Sequence, residues 1–114
     1  RFRNIYINYK FLNNFDNLLF VGIKDEFEDL KKQIPNLKHY ESENFLEIAQ
    51  IIKSSKMFIG NSSSGYSTAE ALKIPRLLEA SPDFPVVQPI GKNAFDFYFQ
   101  THFEKWFHYL NKKN

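Results

Sequence analysis

The sequence contains no cysteine. Disulfides, thiolate zinc sites and a cysteine nucleophile are therefore excluded. The absence fits a reducing compartment, and a cytoplasmic location is the expectation. Long apolar runs are also missing. None approaches the roughly 20 residues of a membrane-spanning helix, and no secretory leader pattern is visible, so no membrane span is expected. Neither sign of charge dominates: 15 Lys and Arg stand against 13 Asp and Glu, for a net charge of +2. Apart from a small cluster at Lys112-Lys113, basic residues are interspersed with acids. The basic stripe of a nucleic-acid binder is absent, and no such partner is expected. His39, His102 and His108 are scattered without metal-ligand spacing, so no metal and no cofactor is expected.

What the chain does have is rings. Its 114 residues include 13 Phe and 6 Tyr within an otherwise ordinary globular composition, 43% hydrophobic and 25% charged. That length makes one domain, and large rings let a small core bury much area per residue. The first residue is Arg1 rather than Met, which suggests a trimmed chain or a piece of something longer.

Strand and helix patterns alternate along the chain. Residues 1–17 fit either element, since Ile5, Ile7, Tyr9 and Phe11 alternate while Ile5, Tyr9 and Leu12 share a helix face. Leu18-Leu19-Phe20-Val21-Gly22 reads as a buried strand closed by glycine. Asp25 and Glu28 form a capping-box pattern for a helix whose buried face is Phe27, Leu30 and Ile34, stopped by Pro35. A short strand is expected over 37–41. Asn44 and Glu47 then repeat the capping pattern, and Phe45, Ile48, Ala49 and Ile52 follow at helical spacing. Met57–Ile59 predicts a strand, 66–72 a helix ending before Pro75, and 76–79 a further strand. Pro82, Pro85 and Pro89 make 81–91 a loop. The spacing of Phe95, Phe99, His102, Phe103, Trp106 and Leu110 predicts one last helix from Ala94 to Leu110.

This alternation predicts an α/β fold: a small three-layer α/β/α arrangement around a parallel sheet of about three to five strands. Ligands of such sheets sit beyond the carboxyl ends of the strands. Gly22, Gly60 and the strand end at Glu79 belong to that edge. At Gly60 an apolar run meets Asn61-Ser62-Ser63-Ser64-Gly65 and then a helix. A strand, a tight turn and a helix N-terminus direct free N–H groups and the positive end of the helix dipole at one spot. A phosphate or carboxylate suits that spot. An ordinary βα turn with serine caps is the plainer reading.

The same segment carries a resemblance. Ile59-Gly60-Asn61-Ser62-Ser63-Ser64-Gly65 with Pro75 resembles a stretch of hydrolysing UDP-N-acetylglucosamine 2-epimerases. It is also similar to the Gly-Asn-Asp-Ser-Gly turn of heptosyltransferase-type glycosyltransferases, and the pattern from Phe45 through Lys56 matches the helix leading into that turn in both. The similarity spans about residues 18–91. More loosely, the whole chain resembles a group of uncharacterised bacterial glycosyltransferase-like proteins through Arg1-Phe2-Arg3-Asn4, Phe20-Val21-Gly22, 69–76 and Pro89-Ile90-Gly91.

The resemblance implies a Rossmann-like domain, half of a two-domain GT-B enzyme, binding a nucleotide-sugar diphosphate. The implied binding residues are Gly60, Asn61, Ser62, Ser63, Ser64 and Gly65, with Gly22 at the same edge and Glu70 toward ribose hydroxyls. Thr68 stands where the epimerases have a ribose-binding glutamate, and Glu70 lies about 200° further round the helix. Ser62 and Ser67 replace the Asp and His of the heptosyltransferase turn. A UDP-sugar 2-epimerase-like domain and a non-catalytic α/β binding module are the rival readings. Catalysis by a GT-B half needs a second domain or subunit, and no catalytic residue is identifiable. Eight aromatic residues between Phe95 and Tyr109 exceed one buried stripe, so a homo-oligomer through Trp106 or Phe107 is expected.

Overall fold

A computed structural model describes residues 7–41, 44–60, 64–79 and 92–113. A 3₁₀ turn, Lys10–Asn14, is followed by β1 (Leu19–Val21), α1 (Lys24–Lys31), β2 (Lys38–Tyr40), α2 (Phe45–Ser54), β3 (Phe58–Gly60), α3 (Ser64–Leu72), β4 (Arg76–Glu79), β5 (Ala94–Phe97) and α4 (Gln100–Lys113). Every strand pairing is parallel, so the fold is α/β with parallel sheets, as expected. The strands form two sheets rather than one: β1-β2, and β3-β4-β5 with β4 in the middle. The chain correspondingly divides into two compact units, residues 8–48 and Ile7 with 49–113, the boundary falling inside α2. The apolar runs are only three or four residues long, and each makes a narrow sheet with its own local core.

In the smaller unit, β1 and β2 pair from Leu19 with Lys38 to Val21 with Tyr40. Tyr9, Leu12, Ile34 and Leu37 are its buried side chains. The capping box expected at Asp25 does not form. The first helical bond runs from the Phe27 N–H to the Ile23 carbonyl, 3.1 Å, so Ile23 is the N-cap and gives no side-chain bond. Asp25 and Glu26 instead lie in the first turn, where acids favour the helix dipole. The helix also ends before Pro35. Lys32 and Gln33 donate to Asp29 and Leu30 in i→i−3 bonds that tighten the last turn. At the second capping pattern the expectation holds. Asn44 Oδ1 accepts the N–H groups of Leu46 (2.9 Å) and Glu47 (3.3 Å) at the start of α2.

In the larger unit, β3 runs beside β4 from Phe58 with Arg76 to Gly60 with Leu78, and β4 beside β5 from Arg76 with Ala94 to Glu79 with Phe97. Leu77 and Leu78 at the centre are fully buried. Helix α3 starts earlier than the sequence suggests, at Ser64, and ends in a Schellman motif. Lys73 donates to the Glu70 carbonyl (3.3 Å) and Ile74 to that of Ala69 (3.2 Å). Lys73 adopts φ 60, the left-handed conformation usually given to glycine at this position.

The long final helix is a correction. Ala94–Phe97 is a strand, and the helix opens only at Gln100. Aromatic residues favour strands when a sheet edge is open to them, and β4 offers that edge. Phe95 and Phe97 then face α4 as ring partners. Phe97 stacks on Phe103 (4.2 Å, 15°) and Phe95 on Trp106 (4.0 Å, 3°). The buried stripe becomes Phe103, Phe107 and Leu110, while Phe99 is 57% exposed. The ring surplus from which a homo-oligomer was expected is thus largely consumed inside the chain. Phe107 is buried, and Trp106 is half-buried beneath Phe95 and the edge of Tyr109.

Candidate functional site

The carboxyl edge of the three-stranded sheet is formed by Gly60 of β3, Glu79 of β4 and Phe97 of β5. Four residues beyond Gly60, Ser64 opens α3, which packs back over β3 and β4. A strand followed by a helix, as read from the sequence, is therefore present. Asn61, Ser62 and Ser63 lie outside the described residues, as do the side chains of Ser64 and Gly65-Tyr66-Ser67 and the loop 80–91.

Gly60 has a packing reason for lacking a side chain. A Cβ there would lie 2.8 Å from Cε2 of Phe58, two residues back on the same strand. Gly22 repeats the arrangement at the end of β1, where a Cβ would meet Cε2 of Phe20 at 2.8 Å, and its φ of 154 disfavours any side chain. Gly22 belongs to the smaller unit, whereas Gly60 and Glu70 belong to the larger. Its carbonyl accepts a 2.8 Å bond from His39 Nε2, so that nitrogen carries the proton. The His39 ring stacks on Phe27 at 4.5 Å and 14°. His39 thus fastens the end of β1 to β2. Nearby, the Tyr40 hydroxyl donates to Glu47 Oε1 (2.9 Å), and this bond, with the negative charge beside it, pushes the phenol pKa up.

No family model, curated protein or solved structure matches the chain.

Glu70 is held away from the proposed binding edge. Its Oε2 is engaged by Arg76 Nη2, and Arg76 Nη1 donates to the Ile74 carbonyl at 2.8 Å. Both anchors place the guanidinium at the amino end of β4. The carboxyl edge lies about 10 Å away, three residues at about 3.3 Å each. Arg76 is 2% exposed, and the Glu70 side chain 22%. The Glu70–Arg76 ion pair therefore fixes the C-terminal half of α3 to the start of β4. Thr68 is half-buried on the same helix.

One residue that the sequence places at this edge was given no binding role there. Glu79 is a carboxylate only 4% exposed at the last position of the central strand. The available signal was its place: an acid ending the apolar run Leu77-Leu78 just where a parallel sheet opens. Among the described residues no group of three His, Asp or Glu is placed to hold a metal ion. No helix there is long and apolar enough to cross a membrane.

Proposed function

We propose that this chain is a nucleotide-sugar-binding domain of a glycosyltransferase-like protein, a Rossmann-like half of a GT-B arrangement. In this reading the junction of β3 and α3 seats the donor diphosphate. One observation carries it: a parallel β3-α3-β4 unit whose strand ends at Gly60 and whose helix opens at Ser64, joined by an Asn- and Ser-rich stretch. The first turn of α3 has N–H groups without intrahelical partners, and the helix dipole adds positive potential there. A phosphate satisfies both. In transfer, the same amides would stabilise the leaving diphosphate as its charge develops. The acceptor and the base would come from a second domain or a second copy. Glu70, tied to Arg76, takes no part in this seat. Thr68 in place of a ribose-binding acid favours transferase-like over epimerase-like chemistry.

A second reading, a non-catalytic α/β binding module, draws on a specific observation. The Phe58 ring already explains Gly60, and Arg76 already explains Glu70. Thermal unfolding with UDP- and ADP-sugars separates the two. A ligand at about tenfold its Kd adds about 1.4 kcal/mol, a rise of roughly 5 °C in Tm for a domain of this size. Gly65→Asp is expected to abolish the rise by placing a carboxylate where the phosphate would sit. No rise with any nucleotide sugar, or an equal rise in the variant, leaves the binding-module reading.

A further inference from the structure

A second concave feature lies in the smaller unit, at the amino end of β1 and β2 and independent of the reading above. It is a groove of about 410 Å³, within the range of small-ligand pockets. Its floor is apolar: Phe15, Leu18 and the fully buried Ile34. The Lys38 N–H to Leu18 carbonyl bond (3.4 Å) closes the floor between the two strands. The rim is polar. Asp16, Asn17, Asn36 and Lys38 line it, all exposed, and their side chains make no hydrogen bond or ion pair among the described residues. Asn17 turns the chain into β1 with φ 62, a conformation that asparagine tolerates. The neighbouring Asn13 is already committed, donating to the Gln33 carbonyl at 2.8 Å.

The rim offers both donors and acceptors. Two amides each present both a donor and an acceptor, one carboxylate accepts, and one ammonium donates. The two charges cancel, so the rim has no net attraction for an anion or a cation. Among the described residues no group of three His, Asp or Glu converges here to hold a metal ion. A sugar ring fits instead. Its adjacent hydroxyls each donate and accept, and its C–H face can lie on the half-buried Phe15 ring and Leu18 while the hydroxyls reach the rim. We infer that this groove binds a neutral monosaccharide unit through Asp16, Asn17, Asn36 and Lys38, over a floor of Phe15 and Leu18.

Amide ¹H–¹⁵N spectra of the full chain, titrated with methyl glucoside, methyl galactoside and methyl N-acetylglucosaminide, test this. Glycerol and inorganic phosphate serve as controls. Saturable shifts at Asn17, Leu18, Asn36 and Lys38 with at least one glycoside are expected, with a Kd of order 1 mM. Asn17→Gly keeps the backbone conformation while removing the amide. Combined with Asn36→Ala it is expected to weaken binding at least about tenfold. Lys38→Gln provides a separate variant with the same expected direction, should the double variant lose its dispersed spectrum. The inference is overturned if no glycoside gives saturable shifts there, if glycerol or phosphate gives the same response, or if folded variants bind as the wild type does. The nucleotide reading stands or falls on the other unit, so the two experiments fail separately.

Discussion

Glu70→Leu is expected to destabilise the chain by about 3 kcal/mol, near the low end of the cost of breaking a buried ion pair. The loss arises because Arg76, 2% exposed, keeps a charge that water cannot reach. The Glu70 carboxylate is itself partly open to solvent, which holds the figure below the upper end of about 5 kcal/mol. Placing methionine at Arg76 in the same protein should recover most of the loss, since an apolar pair of similar volume carries no desolvation penalty. Urea unfolding of the wild type, both single variants and the double variant gives the coupling directly. Additive single effects would mean that the two side chains do not act as a pair. The same cycle bears on function. If Glu70 contacted ribose, Glu70→Leu/Arg76→Met would lose nucleotide binding while keeping stability. With Glu70 at the amino end of β4, binding should persist.

Phe103→Ala carries the other large effect. Phe103 has no exposed surface and stacks on the equally buried Phe97. Truncation of such a ring costs about 3–5 kcal/mol through lost transfer energy and the cavity left behind. Total stabilities of domains are about 5–15 kcal/mol, so a melting temperature lower by roughly 12–20 °C is expected. Phe99→Ala is the matched control, since Phe99 is mostly exposed and surface changes usually stay within about 0.5 kcal/mol. One continuous helix from Ala94 would put both rings on a single stripe with comparable costs. Calorimetry of the two variants therefore reports whether β5 exists as a strand.

The elements that the sequence made legible share a physical cause. Asn44 announces α2 because a short amide bonds only the first-turn N–H groups, and it does so. Leu77-Leu78 and Phe58-Ile59 announce strands because short apolar runs between turn residues have few other uses. The order β3 then α3 was legible for the same reason. Where the reading failed, two periodicities competed. Phe95, Phe99, Phe103 and Trp106 satisfy a helix, yet Phe95 and Phe97 also satisfy a strand, and only the free edge of β4 decides. At Asp25 the capping pattern was present, but a backbone start at Ile23 left it one turn inside. Glu70 could not be located from sequence because its partner, Arg76, is fixed by a loop and a strand rather than by helical spacing. Glu79 was placed at the edge, but its burial was not legible because it depends on strands on both sides of β4.

The Phe20-Val21-Gly22 and Phe58-Ile59-Gly60 ends each fold a ring into the space that a methyl group on their own glycine would need. Ring and glycine are thus coupled positions rather than two independent ones. At Gly60 the restraint is steric alone: a larger residue there requires the Phe58 ring to move aside or position 58 to shrink. At Gly22 the backbone adds a second lock, so even that change stays closed. Drift at the two strand ends would then proceed at different rates although their sequences are nearly the same, with β3 free to exchange its terminator and β1 held to the one it has.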